Sequence, residues 1–325
     1  MAKPLMCNES LLETDLTEKV ALITGANSGI GEVTARQLAK QGALVVLGVR
    51  KPQSGNDAAD RIRSSVPDAR LEVLELDLGD LSSVRSAAIE FQSKHETLDL
   101  LINNAGVMNT PQGRTKDGFE TQFGVNHLGH FLFTELLLPV LKQSTDARII
   151  NLSSCYHDLA MGRAGDIHFD DLFFEHSKYD GWRAYAQSKL ANLLHAKELA
   201  RRLTGSSVTA VSVHPGWVRT RLIRHTLPLW TQEGVFRPVL RLFGQIDPWQ
   251  GAQTTLFAAL DPSIPDQSGA FFSQTGTYRD KSKNGCGWPL VSPNPSAHDE
   301  EKARRLYELS QELVGLNHSA AQASQ

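Results

Sequence analysis

Tyr185 and Lys189 lie four residues apart in a stretch that predicts a helix, so both side chains project from the same helical face. A free phenol has a pKa of about 10 and exchanges protons poorly at neutral pH. A lysine ammonium held beside it favours the phenolate and lowers that pKa. The pair is therefore a candidate acid and base for chemistry near pH 7. The same spacing also occurs in ordinary helices, so other features of the chain must show whether the pair is catalytic.

Strand-like and helix-like stretches alternate along the chain, which indicates a parallel sheet with helices on both faces. Right-handed crossovers make such a sheet doubly wound. The predicted strands are 20–24, 44–49, 71–76, 98–102, 148–152, 208–213 and 270–273. The predicted helices are 31–41, 57–65, 81–92, 126–141, 182–203 and 249–260. We predict one α/β domain over 19–315, with tails at 1–18 and 316–325.

The bulk composition excludes several classes of protein. The chain has 325 residues and a net charge of −3, which does not favour nucleic-acid binding. Its three cysteines are widely spaced, so they indicate neither a disulfide framework nor a metal site, and a reducing compartment fits best. No apolar stretch approaches the ~20 residues that span a bilayer, and no signal peptide is visible. We expect a soluble, cytoplasmic protein without a metal ion.

A glycine-rich turn follows the first predicted strand and opens the first helix, with glycines at Gly25, Gly29 and Gly31. Glycine allows close backbone approach, and a helix N-terminus attracts a pyrophosphate. The segment therefore predicts a dinucleotide site. The second strand ends at Arg50 without an acidic residue, which favours a 2′-phosphate and hence NADP, with NAD as the alternative. Asp77, after the third strand, either faces the adenine or caps a turn.

Several motifs occur in one order, and together they resemble the short-chain dehydrogenases/reductases. They are Thr24-Gly25 through Gly31, Asn103-Asn104-Ala105-Gly106, Asn126, Ser153-Ser154, Tyr185 to Lys189, and Pro215-Gly216. A closer likeness, in 103–108, 117–120, 125–131 and 188–192, is to the retinol dehydrogenase branch. That branch includes retinol dehydrogenases 11 to 14, the X-linked dehydrogenase/reductase family member and the WW-domain oxidoreductase.

The resemblance implies a single Rossmann-type domain and a catalytic tetrad. Tyr185 would be the acid and base, and Lys189 would lower its pKa and hold the nicotinamide ribose. Ser154 would bind the substrate carbonyl, and Asn126 would support a proton-relay water. The residues expected to contact the cofactor are Gly25, Asn27, Ser28, Gly29, Ile30, Gly31, Arg50, Asp77, Leu78, Asn104, Ala105, Gly106, Tyr185, Lys189, Pro215, Gly216, Val218 and Thr220.

Two segments are expected to shape the substrate site. The long stretch 156–182 carries Phe169, Phe173, Phe174 and Tyr179 and is expected to form a flap. The apolar stretch 217–247 is expected to form the substrate lid, which favours a lipophilic substrate. The lid also allows peripheral membrane contact through an amphipathic helix, or a homo-oligomer face. The hydrophobic anchor with which relatives usually begin is not seen, so membrane attachment is not carried over.

These observations predict an NADP-dependent oxidoreductase that interconverts a carbonyl and an alcohol on a lipophilic substrate. Two alternatives remain from the sequence. One is a biosynthetic ketoreductase of a secondary-metabolite pathway, which would differ only in its substrate. The other is a non-catalytic regulatory protein that binds a dinucleotide.

Overall fold

A seven-stranded parallel sheet forms the centre of the protein in the computed structural model, which describes residues 4–158, 165–219, 245–274 and 288–316. The strands are β1 Val20–Thr24, β2 Leu44–Val49, β3 Leu71–Glu75, β4 Leu100–Asn103, β5 Ala147–Leu152, β6 Val208–His214 and β7 Phe271–Ser273. Their order is β3-β2-β1-β4-β5-β6-β7. The predicted α/β fold class, with a doubly wound Rossmann-type sheet, is confirmed.

Helices connect the strands and cover both faces of the sheet. They are α1 Gly29–Lys40, α2 Pro52–Arg63, α3 Leu81–Lys94, α4 Thr121–Phe123, α5 Gly129–Leu141, α6 Gly181–Arg202, α7 Pro248–Leu260 and α8 Glu300–Leu313. One hydrophobic core lies between the sheet and α3, α5, α6 and α8. The other core lies on the opposite face, against α1, α2 and α7.

Burial of the sheet on both faces explains why its strands were easy to locate. Every residue of β5 and β6 is buried, and all but the first residue of β1 and β2 are buried as well. Strands of this kind read as continuous apolar runs. β1 and β4 are neighbours at the centre of the sheet, with Ala21 opposite Leu100 and Ile23 opposite Ile102. From β1 the chain continues to β2 on one side, and from β4 it continues to β5 on the other. Ligands of such sheets bind at this switch point, beyond the carboxyl ends of the strands.

The described part of the N-terminal segment packs on the domain and is not a free tail. Residues 4–18 pack against the domain, because the side-chain amides of Gln37 and Gln41 donate hydrogen bonds to the Leu12 and Leu11 carbonyls. Leu16 is buried in the core. Helix α8 was not predicted at all. The end of the chain from residue 317, and most of the predicted lid, lie outside the described residues.

Candidate active site

The glycine-rich turn after β1 has the shape that its sequence predicts. Gly25 and Gly29 have φ values of +66° and +60°, a region that favours glycine. A Cβ on Gly31 would lie 2.6 Å from both Asn104 Nδ2 and Gly25 O, so no larger residue fits there without rearrangement. Ser28 precedes α1 and makes no side-chain hydrogen bond to the first turn. The free N–H groups of that turn fit a pyrophosphate.

The loop after β4 is tied to this turn through Thr24, the last residue of β1. The backbone N–H groups of Asn104 and Ala105 both donate to Thr24 Oγ1 at 2.9 Å. Asn104 Nδ2 donates to the Thr24 carbonyl at 2.7 Å. Thr24 therefore joins two of the predicted cofactor-binding segments. In the sequence Thr24 opens the glycine motif, and its position at a strand end is the signal for this second role.

The residues expected around the adenosine half lie at the ends of β2 and β3. Arg50 follows β2 directly and is exposed, and it forms no ion pair with any residue that the structure describes. Asn27 donates from Nδ2 to Ser54 Oγ at 3.2 Å, beside that strand end. Asp77 accepts a hydrogen bond from the Gly79 N–H at 2.9 Å, so its carboxylate does cap a turn. Leu78, between them in sequence, is buried.

Asn126 does not begin an α-helix as predicted but lies within a π-helical turn, Gly124–Leu128. Such turns occur frequently at functional sites, and their hydrogen-bond register is not visible in a sequence. Its Nδ2 donates to the Val107 carbonyl and to Ser188 Oγ, each at 2.9 Å, while its Oδ1 accepts from the Val107 N–H. The side chain thus fixes the segment after Gly106 against α6.

The structure places Ser154 beside Tyr185. Tyr185 is buried on α6, and the Ser154 side chain lies close enough to its hydroxyl to lower the pKa of that group. Ser154 lies just after β5, where its Oγ accepts a hydrogen bond from the Tyr156 N–H at 3.3 Å. Because that N–H is the donor, the hydroxyl proton of Ser154 remains available to a second oxygen.

Lys189 lies beneath the tyrosine, with Nζ 5.7 Å from the centroid of the Tyr185 ring. Its Nζ donates to the Leu152 carbonyl at 2.9 Å. Burial lowers the pKa of Lys189 to about 7. Burial also raises the pKa of Tyr185, and the hydrogen bond from Ser154 only partly offsets this. Burial thus acts against the charged forms of both groups, and the lowering of the Tyr185 pKa by Lys189 stays a prediction.

Two further aromatic residues stand beside Tyr185. The rings of Tyr156 and Trp182 stack with centroids 4.7 Å apart, and Tyr156 meets the Tyr185 ring edge-on at 5.7 Å. Met108 completes this cluster. Tyr156 and Trp182 bound the predicted flap, but they were not assigned to the site. Tyr156 follows Ser154 by two residues and Trp182 precedes Tyr185 by three, and this proximity in sequence is the signal for their place at the site.

Four aromatic residues of the predicted flap contact the rest of the domain. Phe169 and Phe173 pack against the hydrophobic core, and Phe174 is itself buried. Tyr179 donates from its hydroxyl to the Thr110 carbonyl at 3.1 Å. These four side chains therefore contact the domain itself, and the flap formed by 156–182 stays a prediction. Residues 159–164 of the flap lie outside the described part of the chain.

The two ends of the predicted lid meet after β6. Gly216 has a φ of +88°, and a Cβ there would lie 2.9 Å from Ile246 Cδ1. Val218 forms a parallel bridge with Ile246, and the Arg219 N–H donates to the Ile246 carbonyl at 3.0 Å. The segment that holds Pro215, Gly216 and Val218 is thereby anchored at the carboxyl edge of the sheet. Thr220 lies outside the described residues.

The described histidines near the site are buried, and desolvation lowers their pKa values: to about 3 for His127 and His214, and to about 4 for His130. Among the residues that the structure describes, no group of histidine, cysteine or carboxylate side chains is arranged to hold a metal ion. In the same part of the chain, no helix is both long and apolar enough to cross a membrane.

Comparison with known proteins agrees with this geometry. The family model described as short chain dehydrogenase matches residues 19–164. Retinol dehydrogenase 12 of Bos taurus is 43% identical over 94% of this chain and 89% of its own length. Retinol dehydrogenase 11 of Mus musculus is 44% identical over 93% and 88%. A crystal structure of an uncharacterized protein from Mycobacterium paratuberculosis is 38% identical, with a TM-score of 0.71, and the match covers 93% and 95% of the two chains. The chain therefore belongs to the short-chain dehydrogenase/reductase family of NAD(P)-dependent oxidoreductases.

Proposed function

We propose that the protein uses NADP(H) to interconvert a carbonyl and an alcohol on a lipophilic substrate such as a retinoid, polyprenoid, steroid or long-chain aldehyde. The observation that carries this proposal is the contact between the buried Tyr185 hydroxyl and Ser154, with Lys189 directly beneath the ring. The names of the retinol dehydrogenase relatives support the substrate class.

The protein's part in this reaction is to bind the substrate oxygen and to move one proton. Bound at the glycine-rich turn, the nicotinamide cofactor supplies the hydride chemistry. The Ser154 hydroxyl, which only accepts from the Tyr156 N–H, can donate its proton to the substrate oxygen and stabilise the developing charge. Tyr185 gives a proton to that oxygen in reduction and takes it back in oxidation. Lys189, whose pKa is about 7, can replace that proton at neutral pH.

The lipophilic substrate follows from the surroundings of Tyr185. The stacked rings of Tyr156 and Trp182 and the thioether of Met108 offer an apolar surface next to the reacting hydroxyl. Apolar walls with a few polar groups are typical of small-molecule sites. We further propose that 217–247 acts as the lid over this surface in a cytoplasmic enzyme.

The preference for NADP rests on Arg50, which is exposed at the end of β2 without a partner among the described residues. Arg50→Ala should weaken NADPH binding about tenfold and leave NADH binding unchanged, because only NADPH carries the 2′-phosphate. Lys40→Ala is the matched control, since Lys40 is exposed at the far end of α1. Binding is measured by nicotinamide fluorescence. Equal NADPH affinity in wild type and Arg50→Ala would refute the role of Arg50.

The substrate class is tested by following nicotinamide absorbance with NADPH and a panel of retinal, long-chain aldehydes, steroid ketones and small polar ketones. We expect turnover of the lipophilic carbonyls at lower KM than that of the polar ones. Replacing Trp182 by alanine should raise the KM for lipophilic substrates more than for the polar ones. Faster turnover of the polar ketones would contradict the proposed class.

A further inference from the structure

A chain of hydrogen bonds runs through the interior from the cofactor loop to Asn126, and His130 is its central member. Asn104 and Ala105 donate from their backbone N–H groups to Thr24 Oγ1, each at 2.9 Å. Thr24 Oγ1 lies 2.8 Å from His130 Nε2. His130 Nδ1 lies 2.9 Å from the Asn126 carbonyl oxygen.

The direction of each bond follows from the groups present. A carbonyl oxygen only accepts, so His130 carries its proton on Nδ1 and donates it to Asn126. Nε2 must then accept, and its partner is the single hydroxyl proton of Thr24. The hydroxyl oxygen of Thr24 is left to accept the two backbone N–H groups of the cofactor loop. The donors and acceptors along the chain therefore form one consistent set from the cofactor loop to Asn126.

The surroundings of His130 keep this arrangement in place. His130 is 2% exposed, and burial together with the nearby charge of Lys189 lowers its pKa to about 4. The ring is therefore neutral at physiological pH and has one donor and one acceptor. Hydrogen-bonded chains of this kind reinforce one another in a low-dielectric interior.

The backbone carbonyl of Asn126 is the group through which His130 acts on the site. Its side-chain groups are engaged by Val107 and Ser188, so its backbone carbonyl is the group of Asn126 that His130 orients. That carbonyl lies in the π-helical turn rather than in a regular α-helix. A small rotation of this turn would move Asn126 relative to α6, which carries Lys189.

We propose that His130 is a positioning residue that couples the cofactor loop to Asn126, so that the two halves of the site keep a fixed relation. His130 touches neither cofactor nor substrate in this role. Nδ1 determines the position of Asn126, and Nε2 determines that of Thr24 and the loop it holds. The predicted effect on kcat rests on the proposed function, whereas the predicted effect on NADPH affinity can be measured without turnover.

Two variants separate the two ring nitrogens. In His130→Asn, the shorter amide reaches about as far as Nδ1 and keeps a donor for Asn126; in His130→Gln, the longer amide reaches about as far as Nε2 and keeps an acceptor for Thr24. We expect the asparagine variant to retain kcat at saturating NADPH while NADPH affinity falls about 3- to 10-fold. We expect the glutamine variant to retain NADPH affinity while kcat falls about 10- to 100-fold.

His127 provides the matched control, because it is a buried histidine one turn earlier whose Nε2 contacts Ser310 Oγ of α8. His127→Gln should lower the melting temperature without separating kcat from NADPH affinity. Equal losses of NADPH affinity in the two His130 variants, or no loss in either, would overturn the proposal whether or not a substrate is turned over. Failure of wild type on the substrate panel, with the affinity difference intact, would instead contradict the proposed function.

If either His130 variant does not fold, Thr24→Ser and Thr24→Val decide the question. The serine variant keeps the hydroxyl and should retain most of the kcat and most of the NADPH affinity. The valine variant removes the proton donor to His130 Nε2 and leaves Nδ1 on the Asn126 carbonyl, so we expect it to lose NADPH affinity and to retain kcat at saturating NADPH, as in His130→Asn. A valine variant with unchanged NADPH affinity, or with kcat reduced as much as affinity, would refute the proposal.

Discussion

Replacing Lys189 by methionine should abolish catalysis and at the same time stabilise the protein. Folding lowers the pKa of Lys189 from 10.5 to about 7 because the ammonium is buried. At about 1.4 kcal/mol for each pH unit, this corresponds to about 5 kcal/mol of unfolding free energy lost below pH 7. Methionine removes that cost and forgoes one hydrogen bond of about 1 kcal/mol. The Leu152 carbonyl keeps a donor, because Asn192 Nδ2 lies 2.9 Å from it.

The sign of the pH dependence follows from the direction of this shift. Between pH 7 and 10.5 the unfolded chain binds the lysine proton and the folded chain does not, so the stability of wild type rises with pH over that window. The advantage of Lys189→Met should therefore be about 2–4 kcal/mol at pH 6 and should vanish near pH 10. Turnover should fall by at least about 100-fold.

The assay is urea unfolding of wild type and variant at pH 6, 8 and 10, without added cofactor, so that other titrating groups cancel in the difference. Lys40→Met, at an exposed position on α1, should show a difference that does not change with pH. A Lys189→Met protein that is less stable than wild type at pH 6 would refute the reasoning. So would a difference that stays constant from pH 6 to 10.

Two further predictions concern the segments that shape the site. Gly31→Ala places a Cβ 2.6 Å from Asn104 Nδ2, so NADPH affinity by fluorescence titration should fall at least about tenfold; unchanged affinity would contradict the described turn. Asn294→Ala removes the side-chain donor shared by the His157 and Gly165 carbonyls, on either side of residues 159–164. The free energy of unfolding should fall by about 1–3 kcal/mol in urea, and an unchanged value would show that this contact contributes nothing to stability.

The sheet could be predicted from the sequence because its signal is local. Val20–Thr24 and Leu44–Val49 are almost entirely apolar and are buried except for their first residues, and their predicted bounds agree with the structure. Strand ends also marked the site, since parallel strands bring their carboxyl ends to one edge. Helix α8 was missed although Ala303, Leu306, Tyr307 and Ser310 follow a helical period and Asp299 caps its start. The many charged and polar residues between these positions made the pattern hard to recognise.

The electrostatics of the site could not be predicted in the same way. The spacing of Tyr185 and Lys189 shows that they share a face, but the pKa of each depends on burial that only the folded chain determines. The bond between His130 and Thr24 spans 106 residues and leaves no local pattern. The π-helical turn at Asn126 likewise depends on a hydrogen-bond register that residue types do not specify.

The turnover of Tyr185→Phe measures the central claim most directly. Wild type and variant are mixed with NADPH and retinal or a long-chain aldehyde, and nicotinamide absorbance is followed, with NADPH affinity measured in parallel. We expect wild type to consume NADPH, and the variant to bind NADPH equally well while kcat falls by about 100-fold or more, because the proton-donating hydroxyl is gone. A variant that turns over as fast as wild type would contradict the role of Tyr185 as the acid and base.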